Sequence, residues 1–143
     1  MTAHRLVNPP GMSPAVGFSH LVVPAAGRTV YLGGQTAQRP DGSIAGADLL
    51  EQVDLALANL VTALASVDGL PEHVVSLVVY TTDMASYRAA LRPIGRLWRR
   101  HFGRHFPAVA LLGVAELFDP QALVELVGVA VITGADVSEG PGT

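Results

Sequence analysis

The chain of 143 residues contains no cysteine and no lysine. Without thiols it forms neither a disulfide nor a zinc–thiolate site, and it has no cysteine nucleophile. All nine basic side chains are arginines, and acidic groups outnumber them to give a net charge of −3. A mildly acidic chain is not built for unselective attraction to phosphate backbones, so no nucleic-acid partner is expected. Charge of either sign is scarce: Asp, Glu, Lys and Arg make up 15% of the residues, against a typical ~25%. No apolar run approaches the ~20 residues of a membrane span. The start, "MTAHRLVNPPGMSPAVG", lacks the charged-then-apolar pattern of a signal peptide. The expectation is a cytoplasmic protein with no membrane contact.

What the chain does have is apolar surface, with 50% hydrophobic residues. A small monomer short of polar side chains cannot cover itself, so other subunits are expected to bury part of the exterior. The length fits one domain over residues 1–143. An extended segment over 1–16 is expected to introduce it, and a small, polar tail over 134–143 is expected to be disordered.

Short β-branched and aromatic runs at "FSHLVVP" and "TVYLGGQ" flank "AAGR", which reads as a hairpin. From Asp48 to Asp68, Leu50, Val53, Leu57, Leu60, Leu64 and Val67 recur three or four apart, the signature of an amphipathic helix. Asp48 and Glu51 supply a capping box. "HVVSLVVYTTD" predicts a strand. Ser86 to Phe102 predicts a second helix, with Tyr87, Leu91, Ile94, Trp98 and His101 along one side and a kink or break near Pro93 and Gly95. "FPAVALLGVAEL" and "ALVELVGVAVI" are the last two strands.

The order β-β-α-β-α-β-β implies an α+β fold: one mixed sheet with two helices on one face, a two-layer sandwich. Two of its strands are apolar on both parities and so are expected to be buried on both sides. Two helices cover one face. Identical subunits are the simplest cover for the other, and clefts between chains are where a small-molecule ligand would bind.

Glu125 shares its strand face with Leu123, Val127, Val129 and Val131. A carboxylate among apolar neighbours is a candidate general acid or base; a solvated or arginine-paired carboxylate at the sheet edge is the equal alternative. Gly33 and Gly34, in "GGQTA", allow close backbone approach to a ligand, although a bulge or tight turn is the commoner reason for such a pair. No Gly-Lys-Ser/Thr follows, which excludes a P-loop. Arg88, Arg92, Arg96 and Arg99 or Arg100 form a stripe that reads as a solvated face or a set of salt bridges between subunits. His101 and His105 lack a metalloprotease pattern and read as a pair satisfying carbonyls at a helix end. His20 reads as hydrogen-bonded structure. No metal site and no cofactor are expected.

In order and spacing, "GFSHLVV", "GGQ", "EQVDLALANLVTAL", "HVVSLVVYTTDM", "HFPAV" and "ALVELVGVAV" resemble the RidA/YjgF family, also called the endoribonuclease L-PSP family, from about Gly17 to Ile132. The resemblance implies a chorismate-mutase-like fold, a homotrimer, three ligand clefts between subunits, and hydrolysis of reactive enamines and imines to keto acids and ammonia. By position, Glu125 corresponds to the glutamate that places the water. Val109 stands where the family has the arginine that grips the substrate carboxylate. Phe18 replaces a tyrosine, Gly33 a serine, and Leu91 an asparagine. Loss of the bidentate arginine pair weakens carboxylate binding by about 2–5 kcal/mol, roughly thirtyfold to several-thousandfold.

The expected ligand-binding residues are therefore Phe18, Gly33, Gly34, Leu91, Val109 and Ala110, with Glu125 catalytic. The expected activity is that of a deaminase-like hydrolase of altered specificity, acting on a neutral or apolar imine, enamine or related metabolite and weak or inactive on 2-iminopropanoate. The alternatives are a non-catalytic ligand-binding or sensing trimer and, least favoured, an RNA-binding or endoribonuclease-like protein.

Overall fold

The computed structural model describes residues 2–134, so the tail expected from residue 134 onward lies almost wholly outside the described residues. In chain order the elements are β1 (Arg5–Val7), β2 (Leu21–Val23), β3 (Arg28–Gln35), α1 (Leu49–Ala65), β4 (Val74–Thr81), α2 (Met84–Ala89), α3 (Leu91–Phe102), β5 (Ala108–Gly113) and β6 (Val124–Ile132).

The leucine spacing of α1 turns one face onto the sheet, and Leu57, Leu60 and Leu64 are fully buried there. Each contributes about 1.5–3 kcal/mol through burial. At the entry of α1 the Glu51 N–H donates to Asp48 at 2.9 Å, and the Ala47 N–H donates to the Glu51 carboxylate at 2.7 Å. Two backbone donors are thereby satisfied by acids that also suit the positive end of the helix.

Four strands form the main sheet in the order β3-β6-β4-β5. β6 is antiparallel to both its neighbours, and β4 and β5 are parallel. A parallel pair needs a crossover, and α2 and α3 supply it. Leu32, Leu77, Val79, Val124, Leu126, Ala130 and Ile132 face α1 and α3 and form the core with Val53, Leu57, Leu60, Ile94 and Phe102. This is the expected two-layer α+β arrangement, with helices on one face of a mixed sheet.

The second helical stretch breaks, as expected, but at Ala90 rather than at the proline. Ala90 leaves helical geometry with φ −108° and ψ 18°. Pro93 is then the third residue of α3, where an absent N–H forfeits no helical bond.

The hairpin expected between the first two runs does not form. β2 pairs antiparallel with β1, while β3 pairs with β6. "AAGR" is a crossing between a small two-stranded ribbon and the main sheet. The ribbon is fastened by His4: the Ala25 N–H donates to Nδ1 at 3.0 Å, and Nε2 therefore donates to the Val131 carbonyl at 2.9 Å. The readings of His101 and His105 also change. His101 bonds Asp54 at 2.7 Å, beside the Arg100–Asp54 ion pair. His105 donates to the Val74 carbonyl, which belongs to a strand, at 2.7 Å.

Burial holds both His73 and His105 below the ordinary histidine value of 6.5. As the pH falls through 6.5 the unfolded chain takes up protons that the folded chain refuses, so stability present above that value is progressively lost. The thermal midpoint is expected to fall between about pH 7.5 and about pH 5.5, a range in which ordinary carboxylates are still ionised. A midpoint that stays level across this range would contradict the assignment.

Candidate functional site

The face of the sheet turned away from the helices is apolar and bare. Cross-strand registers place Ala110, Val78 and Val127 in one row and Leu112, Tyr80 and Glu125 in the next, with Tyr31 beside Val129 on the far side. Tyr31 is 80% exposed, Leu112 44% and Val127 37%. Glu125 sits within this face, half-buried, and makes no hydrogen bond or ion pair among the described residues. Of the alternative reading, the arginine-paired form at a sheet edge is not what the fold shows, since β6 is an inner strand, while a partly solvated carboxylate fits the half-buried Glu125. Tyr80, directly opposite Glu125 on β4, was not singled out from the sequence. A strand whose residues are nearly all apolar hides which of them flank an acid.

Gly33 and Gly34 form a β-bulge. Leu32 pairs with Gly128 but Gln35 pairs with Leu126, so three steps on β3 match two on β6. The extra residue turns the Gly34 backbone against the Glu125 carboxylate. A side chain at position 34 would collide with that carboxylate, its Cβ falling 2.8 Å from Glu125 Cδ. The glycine pair and the acid are thus one structural unit.

A cleft of about 470 Å³ opens on the other face, at the β5 edge. Phe18, Leu91, Val109 and Leu111 line it together with Tyr87, Ile94, Trp98 and Phe106, and none of its lining residues is charged. Trp98 is fixed in place. It stacks on Phe102 at 4.3 Å, lies within 10° of parallel to Phe106, and donates from Nε1 to the His105 carbonyl at 3.0 Å. Phe18 is carried in by its neighbours: the Ser19 hydroxyl donates to the Phe106 carbonyl at 2.6 Å, and the Ser19 N–H donates to the Pro107 carbonyl at 2.9 Å. His20 donates to the Ser13 carbonyl at 2.8 Å, as hydrogen-bonded structure. Ala110 lies outside this cleft. It lines a neighbouring recess of about 350 Å³ with Ser76, Val78 and Ala108, and Phe18 and Val109 border both spaces.

The structure therefore brings Phe18, Leu91 and Val109 together, and separately joins Gly33, Gly34 and Glu125. Val109 pairs with Leu77 and Glu125 with Tyr80, so two strand spacings and three residues separate them, roughly 14 Å by sheet geometry. They also point to opposite faces. Within one chain they cannot meet on one small molecule.

Tyr87 and Trp98 belong to the apolar stripe read from the sequence as one helix side. That side is the wall of an open cleft as well as part of the core. Arg88, Arg92, Arg96 and Arg99 are exposed and form no ion pair among the described residues, as a solvated stripe requires; Arg100 leaves the stripe to pair with Asp54. Among the described residues no cluster of three or more His, Asp or Glu side chains is placed to hold a metal ion, and no helix is long and apolar enough to cross a membrane.

The family model for endoribonuclease L-PSP matches residues 10–132. No curated protein matches the chain. Among solved structures, the Rid-family protein of unknown function YyfB from Yersinia pestis superposes with a TM-score of 0.82 at 34% identity, covering 90% of this chain and 98% of its own. Rv2704 from Mycobacterium tuberculosis, a member of the YjgF/YER057c/UK114 family, gives 0.60 at 26% identity, covering 91% of this chain and 100% of its own. Yeast Mmf1 has the same fold, at a TM-score of 0.64 and 23% identity over 92% of this chain and 100% of its own.

The bulge supplies a test of the glycine–acid unit. The atoms a Gly34→Ala methyl would meet are the free end of a flexible side chain, so this variant is expected to stay within about 1 kcal/mol of wild type. Its crystal structure should show the Glu125 carboxylate swung aside. A Gly27→Ala methyl instead meets the Ile132 backbone carbonyl, and that variant should lose more than about 2 kcal/mol in denaturant unfolding. Equal losses for the two, or an unmoved Glu125, would contradict this account of the bulge.

Proposed function

Because the chain belongs to the endoribonuclease L-PSP (Rid/YjgF) family, we propose that it is a small-molecule enzyme of altered specificity that hydrolyses an imine, an enamine or a related neutral, apolar metabolite. Glu125 is its acid or base, and the working site lies between subunits of a homotrimer. The observation that carries this reading is the cleft around Phe18, Leu91 and Val109, which has no charged lining residue, set against an unpaired Glu125 on the opposite face of the same sheet. One chain offers a pocket without an acid and an acid without a pocket. A second copy laid on the bare face would bring its own cleft edge to Glu125 and would cover Tyr31, Leu112 and Val127.

In the proposed step Glu125 takes a proton from water as the water oxygen bonds to the imine carbon. The resulting carbinolamine then breaks its C–N bond. The nitrogen takes up both protons of the water, the first handed on by Glu125 as the carbinolamine forms and the second taken by Glu125 from the carbinolamine hydroxyl, and it leaves as the amine while the carbon becomes a carbonyl. The step as written needs no cofactor. With valine at 109, no cation stands in the cleft to hold a substrate carboxylate, and this favours neutral substrates over keto-acid imines.

A second reading is a non-catalytic trimer that binds or senses a small apolar molecule. It is supported by the same uncharged cleft and differs only in giving Glu125 no chemical task. RNA binding would rest on the exposed arginine stripe of α2 and α3 alone and is the least supported.

The purified protein is expected to deaminate 2-iminopropanoate weakly or not at all, and to sediment as a trimer. On a neutral imine that it does turn over, Glu125→Gln should abolish activity while the trimer persists. Ligand affinity and turnover both unaffected by Glu125→Gln would remove the acid from the mechanism. Robust deamination of 2-iminopropanoate by wild type would overturn the neutral-substrate reading.

A further inference from the structure

Only two side chains in the cleft lining carry a polar atom, and they are in opposite states. The Trp98 N–H is already spent on the His105 carbonyl, and the ring is clamped by stacking. The Tyr87 hydroxyl makes no hydrogen bond among the described residues. It is not a sealed orphan either, since the buried side-chain polar atom left without a partner among those residues is His105 Nδ1. Tyr87 is thus a lining residue with an unspent hydroxyl, beside walls made of rings and aliphatic side chains.

We propose that Tyr87 is the polar anchor of this cleft, and that the cleft takes a compact, ring-bearing, neutral ligand whose one hydrogen-bond acceptor, a carbonyl oxygen or an imine nitrogen, receives the Tyr87 O–H. Geometry selects the ring: Phe18, Trp98 and Phe106 offer flat apolar surfaces, and a volume of about 470 Å³ is that of a small-ligand site. The hydroxyl selects the acceptor, because an uncharged donor in an apolar setting rewards a partner and penalises a ligand that leaves it unpaired. Burial raises the phenol above its ordinary value of 10.0, so it remains a donor at neutral pH. A carboxylate would surrender its hydration to one neutral donor, an unfavourable exchange. The arginines of α2 and α3 are exposed and therefore screened by solvent and salt. The inference rests on the reading that this cleft is the ligand site, and it is independent of whether Glu125 turns the ligand over.

The chain has a single tryptophan, so Trp98 gives one indole N–H signal that reports directly on the cleft wall. Titration of ¹⁵N-labelled protein with acetophenone, ethylbenzene and benzoate compares one ring bearing a neutral acceptor, no acceptor and an anion. Acetophenone is expected to shift the Trp98 signal and to bind at least about tenfold more tightly than benzoate. Tyr87→Phe should weaken acetophenone about fivefold and change ethylbenzene less than about twofold. If both neutral probes bind and Tyr87→Phe alters them alike, the anchor is refuted while the cleft stands as the ligand site. If benzoate binds as tightly as acetophenone, the neutral-ligand class is wrong. If no probe moves the Trp98 signal at saturating concentration, the cleft is not a ligand site and the proposal falls with it.

Discussion

A four-stranded sheet with helices on one side only leaves its other side apolar and open to water, and the rest of the molecule is arranged around that imbalance. α1 and α3 dry one face, where Leu57, Leu60, Leu77 and Leu126 are sealed. The opposite face presents Tyr31, Val78, Val127 and Leu112 in adjoining rows. A contiguous apolar patch of this kind marks an interaction surface. Glu125 is set into it beside the Gly34 bulge, so the one acid with candidate chemistry is also an acid whose surroundings depend on what covers the sheet. A homotrimer of the kind proposed would meet both needs with one contact.

Much of this was legible from residue order. The α1 period, its Asp48 cap, the helical stretch between β4 and β5, and the uncovered sheet face were all read from residue spacing. The ribbon was not legible, because three-residue strands carry no periodicity and Arg5–Val7 looks like any extended segment. The error over "AAGR" has the same root. Those four residues have turn composition, but Ala25 spends its N–H on His4, and Gly27 lies where only a missing side chain lets the chain pass the Ile132 backbone. Both constraints come from partners more than twenty residues away in sequence, and no local pattern encodes them.

The site was legible in pieces. Family resemblance picked out Val109, Leu91 and Phe18, and the fold does bring these three together. What residue order concealed was their side of the sheet. In "AVALLG" every residue is small or apolar, so alternation cannot show which parity faces the helices. The separation of Val109 from Glu125 became visible only with the β4 register between them. Tyr87 was hidden for a related reason. At helical spacing from Leu91, Ile94 and Trp98 it reads as core, and only the opening at the β5 edge turns part of that stripe into a wall.

The three departures at the cleft make physical sense as a set. An arginine at position 109 would bring a charge that requires a partner, and a tyrosine at 18 or an asparagine at 91 would add polar atoms to the same small volume. A lone arginine at the half-buried position 109 would be short of partners among Trp98, Phe106 and Leu111, whereas position 91 is 57% exposed and leaves a polar group its water. Phenylalanine, leucine and valine leave no such debt. They also change what the pocket can discriminate. A charged clamp distinguishes ligands by their carboxylate and is indifferent to the rest. An apolar wall with one free hydroxyl distinguishes them by shape and by the position of a single acceptor. The chain's low charge content, which first appears as a shortage of surface polarity, thus has a local counterpart in a cleft with no charged lining residue.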